Sequence, residues 1–252
     1  MTGPRMTLRC AAATHPGLRR PANEDTVLAA HPVFLVADGM GGHAGGELAS
    51  RAVVSAFREL VGKTWVTVQD ITAAVQRAAD RVECLGCGDG APGSTLAGAA
   101  SARRAGIACW LLFNIGDSRI YLMRSGQLRR ISVDHSTRTS SAGPRTRGGL
   151  IRAFGAGLER PVADQWLTPA HAGDRILVCS DGLSDEVAGE YLERVLREKS
   201  EPQEVVRRLV GKALAEGGRD NISVIVVDCL ETVVTEIDEL DDVVSLDEGE
   251  EE

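Results

Sequence analysis

GIACWLLFNIGDSRIYLMR, from Gly106 to Arg124, contains two apolar runs that are separated by the dipeptide Asp-Ser. Runs of this length that are rich in Ile, Leu, Phe, Trp and Tyr predict β-strands. The pattern continues on both sides, with STLAGAAS before this stretch and QLRRISV after it. Because a parallel crossover needs a dozen or more residues, the links of two to four residues predict antiparallel neighbours throughout this region.

Two further strands and four helices complete the predicted fold. The strands are RILVCS, Arg175 to Ser180, and ISVIVVD, Ile222 to Asp228. Apolar residues recur at helical spacing in four segments, 47–61, 68–82, 187–198 and 202–216. Strands that are grouped and antiparallel, with helices before and after them, favour an α+β sandwich over a Rossmann-type sheet.

Length and composition are typical of one globular domain. The 252 residues are 43% hydrophobic, which is enough for a well-packed core. No apolar run approaches the roughly 18 to 20 residues of a membrane span. The first ten residues, MTGPRMTLRC, lack the apolar core of a signal peptide. We therefore expect a cytoplasmic protein without a membrane segment.

The acidic charge is concentrated in the last part of the chain. The formal net charge is −8, but Cys229 to Glu252 contain 11 acidic residues and no basic one. The remainder has 28 basic and 25 acidic residues, and this balance argues against binding to nucleic acid. We expect 1–229 to form the folded domain and 230–252 to be a disordered acidic tail, with a docking segment as the alternative.

Aspartates stand at the edges of four predicted strands, at Asp38, Asp117, Asp181 and Asp220. A single aspartate at such a place is ordinarily a turn former. If the four edges lie on one rim, the carboxylates converge and cations must offset their repulsion. Carboxylate oxygens without Cys or His partners suit Mg²⁺ or Mn²⁺, and two such ions about 3.5–4 Å apart activate a water for attack at phosphorus. The glycines after Asp38 would let the carbonyl of Gly39 reach an ion.

A group that could bind phosphate occurs in GLRRPANED, Gly17 to Asp25. The guanidinium of Arg20 can donate to two phosphate oxygens at once, which a lysine cannot do. Glu24 and Asp25 follow closely, so a surface ion pair of little energetic value is the alternative. Both interpretations of Arg20 stay open from the residues alone.

Seven motifs in chain order carry a resemblance to a known family. They are RPANED, DGMGGHAGG, GSTLAG, GDSRIYLMRSGQL, DHS, SDGLSD and GGRDNISVIVV, and they span nearly all of residues 7 to 228. In this order they resemble the motifs of the PP2C-type (PPM) metal-dependent serine/threonine protein phosphatases, in their bacterial form. The resemblance implies a four-layer α-β-β-α sandwich, with two mainly antiparallel sheets flanked by helices and a metal cleft at one end.

The metal ligands that the resemblance implies are Asp38, Gly39, Asp181, Asp220, Glu24, Asp117 and Asp185. Asp38 would bridge two ions, one of which also binds the carbonyl of Gly39. Asp181 and Asp220 would complete the shell of the other ion. Glu24 would hold metal-bound waters.

A third, looser metal position is also implied by the resemblance. It would be formed by Asp117, Asp181 and Asp185, so the cofactors would be two Mn²⁺ or Mg²⁺ ions with a third nearby. Asn221 would hold Asp220 in place from the outer shell.

The implied reaction is hydrolysis of phosphoserine or phosphothreonine by direct attack of a metal-bridged hydroxide, with no phosphoenzyme. Arg20 would bind the substrate phosphate. Eukaryotic members have His directly after the metal-binding Asp-Gly, whereas this chain has Met40 there and His43 three residues later. His43 is the candidate acid for the leaving group, and support of the glycine loop is its alternative role.

The segment Arg138 to Arg147 is polar and basic, and it is short where relatives carry a longer helical flap. It would either bind acidic or phosphorylated segments or form a mobile loop. The resemblance implies a monomer that acts on phosphoproteins and opposes a Ser/Thr kinase. A catalytically inactive module that binds phosphoproteins is the alternative, but it predicts the loss of a ligand and none is missing.

Overall fold

The computed structural model describes residues 5–41, 45–86, 88, 90–137, 149–198, 200–233 and 244–245. The strands in these ranges are β1 Arg5–His15, β2 Thr26–Ala30, β3 Val33–Ala37, β4 Gly39–Met40, β5 Gly93–Ser94, β6 Leu96–Arg104, β7 Ile107–Ile115, β8 Arg119–Arg124, β9 Gln127–Arg130, β10 Phe154–Gly155, β11 Asp164–Pro169, β12 Arg175–Cys179, β13 Ile222–Val233 and β14 Val244–Ser245. The sequence pattern predicts the central strands among these but does not indicate β11.

The α-helices in the same ranges are α1 Gly45–Phe57, α2 Val68–Glu83, α3 Asp181–Ser184, α4 Gly189–Arg197 and α5 Pro202–Ala215. The four predicted helices are confirmed with small shifts of their ends. The short α3 is an addition that apolar periodicity does not reveal. Among the described helices, none is both long and apolar enough to cross a lipid bilayer.

The strands form two large sheets and one small sheet. One large sheet has the order β1-β13-β12-β8-β9, and the other has the order β14-β11-β7-β6-β3-β2. The small sheet consists of β10, β5 and β4. All of these neighbours are antiparallel, as the short links predict.

The predicted pairing is wrong for the two strands within Gly106–Arg124. β7 pairs with β6 and β11, whereas β8 pairs with β12 and β9 in the other sheet. The link between them crosses from one sheet to the other. Gly116 in this link has a φ of +101°, which is a backbone conformation that glycine adopts without strain. A short link therefore joins stacked sheets here, because the chain turns out of the plane of the first sheet.

The alternation of side chains explains why the central strands are apolar throughout. In β3, Val33 and Leu35 lie in a core shared with α1 and α2. Phe34 and Val36 point the other way, into the core between the two large sheets. Both faces of the strand are therefore buried, and a continuous apolar run is the expected pattern for such a strand.

The other large sheet is covered by the helices near the C-terminus. Leu177 of β12 lies in a core with Leu192 of α4 and Leu209 of α5. Its neighbours Ile176 and Val178 lie in the core between the sheets. The layer order is helix, sheet, sheet, helix, which confirms the predicted α+β sandwich.

The last long strand crosses the domain boundary that the charge pattern predicts after 229. β13 runs from Ile222 to Val233, so residues 230–233 belong to the sheet and not to the tail. Val244–Ser245 forms β14, which pairs with β11 at the edge of the six-stranded sheet. The rest of the predicted tail lies outside the described residues.

Candidate metal centre

The ends of the central strands bring the predicted aspartates together at one end of the sandwich. Asp38 follows β3, and Asp181 is the first residue of α3, just after β12. Burial raises the pKa of Asp38 well above its usual range. The carboxylates that raise it further are those of Asp25, Asp181, Asp117 and Asp220. The four strand-end carboxylates therefore lie within electrostatic range of one another.

Burial and neighbouring carboxylates also raise the pKa of Asp181. Burial, followed by the charges of Asp117, Asp220 and Asp185, raises the pKa of Asp181 to about 8. A carboxylate in such surroundings is unfavourable unless a proton or a cation compensates its charge. The arrangement is therefore electrostatically matched to a positively charged ligand.

Glycines allow Glu24 to approach the backbone beside Asp38. A Cβ atom on Gly39 would lie 2.1 Å from the carbonyl oxygen of Gly46 and 2.5 Å from that of Glu24. A Cβ atom on Gly46 would lie 2.8 Å from Oε1 of Glu24. No side chain fits between these three segments, so glycine is required at both positions. The packing places the backbone carbonyl of Glu24 beside Gly39 and the carboxylate of Glu24 beside Gly46.

Asn221 contacts both Asp220 and the loop around Glu24. Its backbone N–H donates to Oδ1 of Asp220 over 2.9 Å. The side-chain Oδ1 of Asn221 accepts from the backbone N–H of Glu24 at 2.8 Å. Its Nδ2 donates to the carbonyl oxygens of Pro16 and Ala22, both at 2.9 Å. The Asn221 side chain therefore holds the loop that carries Arg20 and Glu24 against the start of β13.

Arg20 lies beside the carboxylates. Its Nη2 donates to Oδ2 of Asp220 over 2.8 Å, and the hydrogen bond with this carboxylate raises the pKa of the guanidinium. The charges of Asp38 and Asp181 act in the same direction. The Arg20 side chain is 37% exposed, so it remains accessible to a substrate. The partner of Arg20 is a predicted site residue, which favours the functional interpretation over an isolated surface pair.

Asp25 is a site residue to which the sequence analysis assigned no role. The residue is 7% exposed, and burial raises its pKa to about 6. Its Oδ2 accepts from the hydroxyl of Ser180 at 2.8 Å, while Oδ1 has no hydrogen-bond partner within the described part of the chain. The only signal in the sequence is its place directly after Glu24. Its burial arises from the packing of β12 and β13 beside it, which no local pattern reveals.

The third predicted position lies next to a partly buried ion pair between Arg119 and Asp134. Burial and the charge of Asp134 raise the pKa of Asp117, and Asp185 adds to the effect. Asp134 accepts from Arg119 through two hydrogen bonds, of 3.0 and 2.7 Å. Asp185 follows α3, and its backbone N–H donates to the carbonyl of Asp181 at 2.8 Å. Asp117 and Asp185 therefore belong to the same electrostatic cluster as Asp181.

Comparison with known families decides what kind of centre this is. The family described as protein phosphatase 2C matches residues 22–216, which is more than half of the chain. The chain belongs to the protein phosphatase 2C family. The matched range includes Glu24, Asp38, Asp117 and Asp181, and the structure adds Asp220 and Arg20 from just outside it.

Two similar relatives of this chain come from bacteria. The serine/threonine protein phosphatase PstP of Mycobacterium tuberculosis is 34% identical over 247 residues, which cover 90% of this chain and 46% of PstP. The serine/threonine phosphatase stp of Listeria monocytogenes is 30% identical over 221 residues, which cover 78% of this chain and 84% of stp. The chain thus spans about half the length of PstP.

A solved structure of the PstP catalytic domain in complex with two manganese ions is also similar. The TM-score is 0.77 and the sequence identity is 35%, with 90% of this chain and 100% of that chain covered. The structure of this chain therefore has the fold of a PP2C catalytic domain.

The residues of this PP2C centre fit Mn²⁺ or Mg²⁺. The donors are carboxylate and backbone oxygens, and the buried Oδ1 of Asp25 has no partner among the described residues. Among the described residues, no three His, Cys, Asp or Glu side chains are grouped so that they could hold a metal ion between them. Mg²⁺ keeps several waters and binds through only one or two carboxylates, so an open set of carboxylates suits it better than a closed cage.

Two candidates from the sequence lie outside the described residues: His43 and the basic segment 138–147. The histidine of the DHS motif, His135, is described. It is 6% exposed, and its ring accepts from the N–H of Gly116 and bonds to Asp164. His135 is therefore held within the fold rather than presented to a substrate.

We expect the metal-free protein to lose stability as the pH rises from about 4 to about 8. The raised pKa of Asp181, from 3.8 to about 8, means that the folded state binds more protons than the unfolded state in this range. The free energy of unfolding therefore falls with increasing pH. Thermal unfolding in EDTA at several pH values measures this fall.

The control is a second set of melting temperatures, measured at the same pH values with saturating Mn²⁺ in place of EDTA. Because the cation replaces the protons, the melting temperature should fall less with pH, and the gap between the two series should widen towards pH 8. Asp181→Asn should flatten the EDTA series. A melting temperature in EDTA that stays constant or rises over this range would contradict the carboxylate cluster.

Proposed function

We propose that this PP2C chain is a metal-dependent protein serine/threonine phosphatase. The observation that carries the proposal is the convergence of strand-end carboxylates with one guanidinium beside them. The charge of Asp181 raises the pKa of Asp38, the charges of Asp117 and Asp220 raise the pKa of both, and Arg20 donates to Asp220 within the same cluster. Hydrolysis of a phosphate monoester requires carboxylates that bind divalent cations and an adjacent group that binds the phosphate, and this cluster contains both.

Each group has a role that follows from its position. Asp38, the Gly39 carbonyl, Asp181 and Asp220 would hold two divalent cations. Bound cations of this kind lower the pKa of water and offset charge that develops at phosphorus. The side chains supply no nucleophile, so the phosphoryl group would pass to water without a phosphoenzyme.

Arg20 would position the substrate phosphate. Its guanidinium has further N–H donors besides the one that it gives to Asp220, and they can bind two phosphate oxygens together. The side chain of Asn221 holds the loop of Arg20 in place by donating hydrogen bonds to the carbonyls of Pro16 and Ala22. Binding of phosphate therefore needs little rearrangement of the loop.

We propose Mn²⁺ or Mg²⁺ at two positions and a third ion near Asp117 and Asp185. The substrates would be phosphoproteins of a Ser/Thr kinase, the enzyme would be a cytoplasmic monomer, and its catalytic domain would run through Val233.

The test is release of phosphate from an aryl phosphate and from a phosphothreonine peptide with Mn²⁺, Mg²⁺ or EDTA. We expect turnover with either metal and none in EDTA. Turnover that persists in EDTA would contradict the metal-dependent mechanism. A folded chain that binds the phosphopeptide without turnover under any condition would instead identify a binding module.

Arg20→Lys is expected to lower kcat/KM for the phosphopeptide by about tenfold, because a lysine cannot donate to two phosphate oxygens in a fixed plane. The neighbouring Arg19 is exposed, and Arg19→Lys is the matched control that should leave kcat/KM unchanged. Initial rates over a range of peptide concentrations measure both variants. An unchanged kcat/KM in Arg20→Lys would show that Arg20 contributes only charge, and an equal loss in Arg19→Lys would show that the effect is not specific to Arg20.

A further inference from the structure

His135 is bonded to the loop that carries Asp117. The backbone N–H of Gly116 donates to Nδ1 of His135 at 3.1 Å, and the backbone N–H of His135 donates to the carbonyl of Gly116 at 3.0 Å. The two residues therefore hold each other through reciprocal hydrogen bonds. Asp117 is the next residue after Gly116, so its position depends on this contact.

The other side of the same residue is bonded to the chain that follows segment 138–148. Nε2 of His135 lies 2.9 Å from Oδ2 of Asp164, and Arg152 pairs with the other oxygen of Asp164. The backbone N–H of Ile151 donates to the carbonyl of His135 at 3.0 Å. Because Nδ1 accepts a hydrogen bond, Nε2 carries the proton of the neutral ring and donates it to Asp164.

Close contacts and a hydrogen bond restrict the backbone of Gly116 in addition to the contact with His135. Its φ is +101°, and a Cβ atom on it would lie 2.6 Å from Cγ2 of Thr95. Its carbonyl also accepts from Nδ2 of Asn114 at 3.2 Å. The backbone N–H of Gly116 has the ring of His135 as its acceptor, so a change in this ring shifts the start of the Asp117 loop.

We propose that His135 is a positioning residue that joins the Asp117 loop to the base of segment 138–148 and thereby sets the cation affinity of the outer position formed by Asp117, Asp181 and Asp185. The inference rests on the proposed function, since it assumes that these carboxylates hold a cation. Outer-shell partners that orient a ligand change metal affinity by about 10–100-fold when they are removed.

Two substitutions separate the two sides of the ring. In His135→Asn, Oδ1 stands at the place of Nδ1 and can still accept from Gly116, but the bond to Asp164 is lost. In His135→Gln, Nε2 can still donate to Asp164, but no acceptor remains for Gly116. Each variant loses one of the two ring hydrogen bonds, so a merely structural role predicts similar behaviour of both.

The experiment is calorimetric titration of Mn²⁺ into the metal-free chain without substrate, alongside thermal unfolding. We expect His135→Gln to weaken the weakest binding step by about tenfold and to leave the tighter steps unchanged. His135→Asn should stay within about twofold of the wild type. His171→Gln is the control, because His171 lies next to β12 at its opposite end from Asp181.

The possible negative results separate the positioning role of His135 from the proposed phosphatase function. Equal affinities of the weakest step in the two His135 variants would overturn the positioning role, even if both melt at lower temperature. A wild-type chain that binds two ions and hydrolyses phosphopeptide, but shows no weaker step, would overturn the inference alone. A folded wild-type chain that binds no Mn²⁺ and shows no metal-dependent turnover would overturn the proposed function as well.

Discussion

Asp38→Asn is expected to lower metal-dependent phosphate release by about a thousandfold, which corresponds to roughly 4 kcal/mol of lost transition-state stabilisation. Asp38 is the carboxylate on which the charges of the other strand-end aspartates converge. An amide of the same shape cannot bridge two cations, because it has one neutral oxygen in place of a charged pair. Retention of more than about a tenth of the rate would contradict the bridging role.

The same substitution should not unfold the protein. Burial and neighbouring carboxylates make the charge of Asp38 unfavourable in the folded state, so removing it should leave the EDTA form at least as stable as the wild type at pH 8. Asp80→Asn is the matched control, since Asp80 is an exposed residue of α2 that pairs with Arg160. Rates with Mn²⁺ and melting curves in EDTA should be measured for both variants.

Gly182→Ala is expected to lower the free energy of unfolding by about 3 kcal/mol, or roughly 10 °C in melting temperature. A Cβ atom at this position would lie 1.8 Å from the carbonyl oxygen of Asn221 and 3.5 Å from the carbonyl carbon of Asp220. The first turn of α3 must therefore move away from the start of β13. Asp181 and Asp220 would separate as a result, and the Mn²⁺ affinity of the chain should fall as well.

Gly189→Ala distinguishes this clash from the ordinary effect of replacing a glycine. Gly189 is the first residue of α4, and a Cβ atom on it would have no atom within 4 Å. Alanine is the better helix former, so this variant should melt at or slightly above the wild-type temperature. Thermal unfolding and Mn²⁺ titration of the pair test the argument. Equal melting temperatures of the two variants would show that the contact with Asn221 is not tight.

The aspartates at strand edges could be predicted because each stands next to a recognisable strand. Asp38 follows the apolar run VFLVA and Asp181 follows RILVCS, which has four apolar residues in succession, and such runs are visible without knowledge of their neighbours. Asp25 lacks this signal, since it is buried by strands that lie far away in the sequence. The contacts of the Asn221 side chain could not be predicted for the same reason: they are made to the loop around Glu24, which is about 200 residues away.

The sequence by itself determined the four long helices and the central strands, the apolar face of these helices, and the acidic residues at strand edges. These properties depend on the spacing of neighbouring residues, and local spacing is enough to reveal them. Only the tertiary structure decided that the link through Gly116 joins two sheets and that His135 supports the Asp117 loop. Both depend on packing between distant segments, where the free energy of burial selects among pairings that local spacing leaves equivalent.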